Sequence, residues 1–149
     1  MWGVPPAPIL ICYDGSPEAD RAIAAAGSLL RERRAVVVDV GPLELVAQEY
    51  SELGSDAVNL EAEVRADAAA RAEAGAALAR ETGFDAEARS LLEAPQWRGV
   101  VELADEIDAA AIVLGSRGLA GLQALLEGSF SRNVTTHAGR PVLVVPPSP

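Results

Sequence analysis

Hydrophobic positions along this chain follow two patterns: short uninterrupted runs, and longer stretches in which they recur every three or four residues. The short runs are rich in β-branched residues, which is typical of strands that are buried on both faces. They predict five strands, at 9–13, 35–40, 86–92, 109–114 and 142–145. The third run is the most polar, so we expect that strand at an edge of the sheet.

Stretches with helical periodicity separate the predicted strands. Their predicted bounds are 17–34, 56–81, 95–107 and 128–137. Strands and helices therefore alternate, which indicates an open parallel α/β sheet with helices on both faces. Residues 41–55 show neither strand nor helix periodicity but include several apolar side chains, and we expect this segment to fold over the domain. No repeat or linker interrupts the alternation, so we expect a single domain over residues 1–149.

The first predicted helix has recognisable ends. Ser16 is a suitable N-cap, and Pro17 is a suitable first residue because its ring presets a helical φ. Three arginines, Arg31, Arg33 and Arg34, are predicted in the last turn, where cations are favourable to the helix dipole.

The second predicted helix carries charges at i,i+4 spacing. Glu61 and Arg65 form one such pair, and Asp67 and Arg71 form another. We expect both pairs on the solvent-exposed side of that helix.

Composition excludes several classes of function. The net charge is −10 and all 12 basic residues are arginine, so binding to nucleic acid or to an anionic membrane is not expected. Without lysine there is neither a Walker A loop nor a pyridoxal Schiff base. One cysteine and one histidine cannot form a Cys/His zinc site, and we expect no metal site. No apolar run is long enough to cross a bilayer and no signal peptide is recognisable, so we expect a cytoplasmic protein.

A glycine-rich stretch follows the fourth predicted strand. It runs from Gly115 to Gly121, and Gly128 and Ser129 follow at the start of the last predicted helix. Free main-chain N–H groups, the positive end of the helix dipole and the absence of a Cβ together suit a phosphate group. The alternative is a tight strand-to-helix connection in which the glycines serve only turns.

Asp14 ends the first predicted strand, and Gly115 ends the fourth. In an open parallel sheet, ligands bind beyond the carboxyl ends of the strands, where the winding direction reverses. If strands 1 to 3 wind one way and strands 4 and 5 the other, Asp14 and Gly115 meet at this switch point. Asp14 is then a candidate to accept hydrogen bonds from a ribose, with a role in the Asp-Gly-Ser turn as the alternative.

Other side chains near these strand ends are open to two interpretations. The hydroxyls of Ser116 and Ser129 and the charge of Arg117 suit a phosphate, but a loop residue, a helix cap and a solvated arginine are the alternatives. Tyr13 and Trp97 are candidates to stack on a base, although we favour core packing for both.

These features together resemble the nucleotide-binding members of the universal stress protein family, over residues 9–145. After the fourth strand that family carries G-x2-G-x9-G-[ST], which is matched here by Gly115, Gly118, Gly128 and Ser129. The family's first strand typically ends in Asp followed closely by Ser, as at 14–16, and its closing strand resembles 140–145.

The resemblance implies a Rossmann-like sheet in the order 3-2-1-4-5 with ATP at the switch point. It assigns Asp14 to the ribose and the main chain of Val40 to the adenine. It assigns the phosphates to the motif residues Gly115, Gly118, Gly128 and Ser129. Two residues depart from the family pattern, because Cys12 replaces a small residue or proline and Phe130 replaces a valine. The bulk of Phe130 narrows the space for a triphosphate, so AMP and ADP stay open beside ATP, as does an accompanying Mg²⁺.

The last predicted strand, Val142-Leu143-Val144-Val145, has no charge or proline to protect it before Pro146. In the order 3-2-1-4-5 it lies at an edge, where two copies can pair antiparallel about a two-fold axis. The resemblance implies the same homodimer. The alternative is that the N-terminal arm, residues 2–8, covers this edge.

Three functions fit the sequence. We favour a nucleotide-binding regulatory protein of the stress response that acts as a homodimer. Apart from Asp14, no acid, histidine or lysine belongs to the predicted site, and fast hydrolysis usually needs a base and metal ligands. The alternatives are a slow ATP-hydrolysing enzyme of the same fold and a nucleotide-free dimeric interaction module.

Overall fold

The computed structural model describes residues 3, 5–30, 33–41, 52, 57–92, 95–116 and 124–147, with the main chain alone for 57–59 and 124–129. Its strands are β1 (Ile9–Tyr13), β2 (Arg34–Asp39), β3 (Asp85–Ser90), β4 (Ala111–Gly115) and β5 (Val142–Val145). They form one parallel sheet in the order β3-β2-β1-β4-β5, which confirms the predicted topology. The helices between them are α1 (Pro17–Leu29), α2 (Ala57–Glu81), α3 (Gln96–Glu106) and α4 (Ala124–His137).

The central strand β1 is buried along its whole length. Its side chains alternate between the two faces of the sheet. Ile11 belongs to a core cluster that also contains side chains of α1 and α2. Cys12 belongs to a second cluster that contains side chains of α3 and α4. Helices therefore cover both faces, as predicted.

Helix α1 begins as predicted but ends earlier. The Oγ of Ser16 accepts a hydrogen bond from the Ala19 N–H at 3.1 Å, and Pro17 is the first helical residue. The helix ends at Leu29 because Leu30 has an extended backbone, with φ −107° and ψ 148°. Arg34 instead begins β2, where it pairs in register with Asp85 of β3. The predicted basic last turn is therefore wrong.

The register of the sheet also moves several strand bounds. β2 ends at residue 39, and β3 covers 85–90 instead of the predicted 86–92. β4 begins at Ala111, opposite Ile9 of β1, and not at residue 109. The Ala109 N–H donates to Ala104 O at 2.9 Å, so residue 109 closes the end of α3. Most of the segment 41–55, namely 42–51 and 53–55, lies outside the described residues.

None of the described helices combines the length and the apolar character that spanning a lipid bilayer requires.

Gly75 of α2 packs directly on β1 and β2. A Cβ at this position would lie 2.7 Å from the ring of Tyr13 and 2.8 Å from Cγ1 of Val37. At an open site Gly75→Ala would stabilise the helix by about 1 kcal/mol, because alanine is the better helix former. Here we expect Gly75→Ala to lower the free energy of unfolding by about 1–3 kcal/mol through overpacking.

Urea unfolding measures this effect, with Ala74→Gly as the matched control at the exposed neighbouring position. The control should lose about 1 kcal/mol from helix propensity alone. A Gly75→Ala variant that is more stable than the parent would contradict the close packing of Gly75 on β1 and β2.

Candidate functional site

The carboxyl ends of β1 and β4 lie side by side. The two strands pair in parallel, with Ile11 opposite Val113, and the helices that follow them lie on opposite faces of the sheet. This is the predicted switch point. Asp14 follows β1 directly and is 7% exposed, and Gly115 is the last residue of β4. The fold therefore brings Asp14 and Gly115 to neighbouring strand ends, where a ligand binds in sheets of this kind.

Asp14 shapes the turn that follows β1. Its Oδ1 accepts a hydrogen bond from the Ser16 N–H at 2.9 Å. Gly15, between them, has φ +81°, a left-handed conformation that favours glycine. Asp14 thus has the turn role that the sequence suggests, and its carboxylate is fixed at the carboxyl edge of the sheet.

The glycine-rich stretch is described only in part. Gly115 pairs with Val145 of β5, and the Ser116 N–H donates to Val145 O at 2.9 Å. Arg117 and Gly118 lie outside the described residues. Within the predicted motif region that follows β4, the structure therefore describes Gly115 and Ser116.

Gly128 and Ser129 do not begin the last helix, which corrects the sequence prediction. α4 begins at Ala124, so both residues lie within it. The preceding residues, Ala124-Leu125-Leu126-Glu127, are strong helix formers, and they extend the helix toward its N-terminus. The positive end of the helix dipole therefore lies one turn before the position that the motif predicts.

Three candidate residues meet in one cluster on the α3 and α4 side of the sheet. Cys12 is fully buried there, and Val40 and Phe130 are partly buried against the same cluster. Burial, helped by the charge of Asp14, raises the pKa of the Cys12 thiol to about 12. The thiol is therefore neutral at physiological pH.

Sequence reasoning missed a buried ion pair at the end of β2. The Nε of Arg71 donates to Asp39 Oδ1 at 2.8 Å, and its Nη2 donates to Asp39 Oδ2 at 3.2 Å. The Asp39 side chain is 3% exposed and that of Arg71 is 31% exposed. The predicted pairing of Arg71 with Asp67 is thus wrong, whereas Glu61 and Arg65 do form their predicted pair, at 2.9 Å.

The two charges in this pair act on each other's pKa. Burial raises the pKa of Asp39 above its usual value, and the neighbouring guanidinium of Arg71 opposes that rise. The hydrogen bond to Asp39 raises the pKa of Arg71 against the effect of its partial burial, and the charges of Asp39, Asp67 and Asp14 act in the same direction as the hydrogen bond. Arg71 therefore bonds the buried carboxylate of Asp39 and also feels the charges of Asp67 and Asp14.

The same carboxylate organises the turn after β2. The Gly41 N–H donates to Asp39 Oδ1 at 3.2 Å, and the Val40 N–H donates to Tyr13 O at 2.7 Å. Gln96, at the start of α3, donates through Nε2 to Gly41 O at 2.5 Å. One signal in the sequence points to this turn, since Asp39 interrupts an otherwise apolar strand and a buried carboxylate needs partners.

The aromatic candidates pack within the protein. Tyr13 is buried, and its hydroxyl donates to Asp20 Oδ1 at 2.7 Å. Trp97 is partly buried and stacks on His137, with ring centroids 4.6 Å apart. Among the described residues, no group of three or more His, Cys, Asp or Glu side chains is placed to hold a metal ion.

Removal of Arg71 should destabilise the protein in a pH-dependent manner. Arg71→Met leaves Asp39 buried without its cation, and we expect a loss of about 2 kcal/mol, because Arg71 is not fully buried. The folded-state pKa of Asp39 then rises further. A carboxyl with a raised folded pKa contributes stability at low pH that is lost as the pH rises, so the deficit should be larger near pH 8 than near pH 5.

Chemical denaturation at the two pH values measures this deficit. Arg65→Met is the matched control on the same helix, and its exposed ion pair should contribute no more than about 0.5 kcal/mol. A deficit for Arg71→Met that grows toward acidic pH would contradict the assignment.

Comparison with known proteins agrees with this geometry. The model of the universal stress protein family matches residues 7–146. The Thermus aquaticus "Universal stress protein in QAH/OAS sulfhydrylase 3'region" is 35% identical over 138 residues, which cover 92% of this chain and 96% of that protein. Among solved structures, hypothetical protein MJ0577 has a TM-score of 0.76 at 21% identity, with 98% of this chain and 99% of that chain covered. A universal stress protein in complex with cAMP has a TM-score of 0.63 at 25% identity, with 97% of this chain and 100% of that chain covered. The chain therefore belongs to the universal stress protein family.

Proposed function

We propose that this protein binds an adenine nucleotide, with ATP as the first candidate, beyond the carboxyl ends of β1 and β4. In this proposal it acts as a homodimeric regulatory protein of the stress response. The observation that carries the proposal is the adjacency of Asp14 and Gly115 at paired strand ends. The related stress protein solved in complex with cAMP supports an adenine nucleotide as the class of ligand.

The chemistry of Asp14 suits a ribose. A carboxylate has about four acceptor positions, so Asp14 can accept from ribose hydroxyls while Oδ1 keeps the Ser16 amide. Its rigid turn means that little side-chain entropy is lost on binding. This favours a preformed ribose subsite beside β1.

The cluster of Cys12, Val40 and Phe130 suits a base. Val40 and Phe130 are its partly buried, apolar members, and Cys12, buried in the same cluster, adds no charge because its raised pKa keeps the thiol protonated at neutral pH. The phosphates are assigned to Gly115, Gly118, Gly128 and Ser129, with Arg117 as a source of positive charge. For Gly128 and Ser129, whose amides lie within α4, this assignment rests on the motif spacing.

Three observations favour regulation over catalysis. Asp39 is held by Arg71, and the Asp14 carboxylate is engaged in its turn. Cys12, with a pKa of about 12, is not a nucleophile at neutral pH. The described part of the crevice therefore offers no poised general base or nucleophile.

Nucleotide binding can be tested with two substitutions in the glycine-rich stretch. Gly118→Val adds a side chain where the motif requires close approach of a phosphate, and we expect the affinity for ATP to fall by about tenfold or more. Gly121→Val alters a glycine of the same stretch that is not part of the motif, and it should bind like the parent. Titration calorimetry with ATP, ADP and AMP measures both, and native mass spectrometry of the parent identifies any retained nucleotide. A parent that binds none of these nucleotides would overturn the proposal.

The proposed homodimer uses the free edge of β5. The Ile112 N–H donates to Pro141 O at 3.0 Å and the Ser116 N–H donates to Val145 O, so these carbonyls face β4. The period of two then directs the N–H of Val144 away from β4. Val144 is 37% exposed, and among the described strands β5 pairs with β4 alone. A second copy can pair with this edge and cover Val144.

Val144→Pro removes an outward-facing donor without removing a β4–β5 hydrogen bond. We expect a folded monomer, because proline is tolerated on an edge strand when its nitrogen faces outward. Val144→Thr keeps the donor and the β-branched shape, and it should remain dimeric. Light scattering at micromolar concentration distinguishes these states. A parent that is monomeric, or a folded Val144→Pro dimer, would show that β5 is not the interface.

A further inference from the structure

Arg71 spans the two turns that form the ribose and base sides of the proposed site. A Cβ at Gly15 would lie 3.5 Å from Arg71 Cδ, so the aliphatic stem of the arginine passes against the turn after β1. A Cβ at Gly41 would lie 2.6 Å from its Nη2, so the guanidinium fills the space beside the turn after β2. At Gly41 the absence of a Cβ leaves room for the guanidinium, whereas the contact at Gly15 is at ordinary van der Waals distance.

The main chain of the second turn is held at almost every polar group. The Val40 N–H is engaged by Tyr13 O, the Gly41 N–H by the Asp39 carboxylate, and Gly41 O by the Gln96 amide. No described residue donates a hydrogen bond to the Val40 carbonyl. Within the described part of the turn, this carbonyl is therefore an acceptor that can be offered to a ligand.

The direction of that carbonyl follows from the strand pattern. In a parallel sheet the N–H and C=O of one residue point toward the same neighbouring strand. Since the Val40 N–H points to Tyr13, the last residue of β1, its carbonyl is expected to point past the end of β1. It then faces the space that the proposed nucleotide occupies.

We propose that Arg71 is a positioning residue that sets base selectivity, because it holds Asp39 and thereby the Val40–Gly41 main chain for a 6-aminopurine. This inference rests on the proposed function. A carbonyl accepts a hydrogen bond from the 6-amino group of adenine. It repels the 6-oxo group of hypoxanthine or guanine, which is also an acceptor, and leaves both oxygens unsatisfied.

The test compares ATP with ITP, which differ at this exocyclic group and carry the same phosphates. Loss of the Arg71 charge beside Asp14 and Asp39 should weaken both nucleotides, but this electrostatic effect cancels in their affinity ratio. The ratio of the two affinities therefore reports where the Val40 carbonyl lies. A general loss of stability or of charge does not change this ratio.

We expect the parent to bind ATP at least about tenfold more tightly than ITP. Arg71→Met should reduce this preference to about threefold or less, and Arg71→Lys should restore part of it, because lysine can make one of the two hydrogen bonds to Asp39. Arg65→Met, on the same helix and 61% exposed, should keep the full preference. Titration calorimetry gives both affinities for each variant.

Gly41→Ala provides a second variant that keeps the charge. Its Cβ displaces the guanidinium from Asp39, and because a long side chain can move, the protein should still fold. It should lose selectivity as Arg71→Met does. A parent that binds neither nucleotide would refute the proposed function and this inference with it. A parent that prefers ATP, with Arg71→Met and Gly41→Ala retaining the same preference, would refute this inference alone.

Discussion

The structure depends on the complete burial of one strand. β1 is covered on both faces and paired at both edges, so its five residues contribute to two core clusters at once. The polar side-chain groups buried within β1 are the weakly polar thiol of Cys12 and the hydroxyl of Tyr13, which is bonded to Asp20. The chain can change to polar residues only where the strand ends, and Asp14 is the first residue after it. Because the centre of the sheet must be apolar, the polar residues of the candidate site lie at the carboxyl edge of the sheet.

The Asp39–Arg71 pair extends this logic to the neighbouring strand. Asp39 is only 2% exposed, and burial of a carboxylate is energetically costly. The two hydrogen bonds from the Arg71 guanidinium offset much of that cost. The pair also joins α2 to the edge of the sheet. As a result, α2 contributes a residue to the candidate site in addition to covering one face of the sheet. Gln96 approaches the same turn from α3 on the other face. The turn after β2 is thus held by residues from both layers.

Much of the fold could be predicted because its signals are local. The valine run 36–38 and the apolar run 9–13 specify buried strands, and Ser16 with Pro17 specifies a helix start. The alternation of strands and helices then restricts the topology to a small number of arrangements. The glycine spacing after β4 indicated the family, which the comparisons confirmed. The adjacency of Asp14 and Gly115 followed once the sheet order was known.

The sequence by itself determined the number of strands, their alternation with helices, the fold class and the capped start of α1, and its resemblance to the family implied the sheet order that brings Asp14 and Gly115 together. Tertiary structure decided the ends of the elements, because register with β3 assigns Arg34 to β2, and β4 starts in register with β1 only at Ala111, after Ala109 has closed α3 through its hydrogen bond to Ala104 O. It also decided the partner of Arg71. Along the helix Asp67 lies at the usual spacing for an ion pair, but an exposed pair contributes little in water. Folding buries Asp39 opposite the same arginine, and a carboxylate removed from water attracts the guanidinium far more strongly than one that remains solvated.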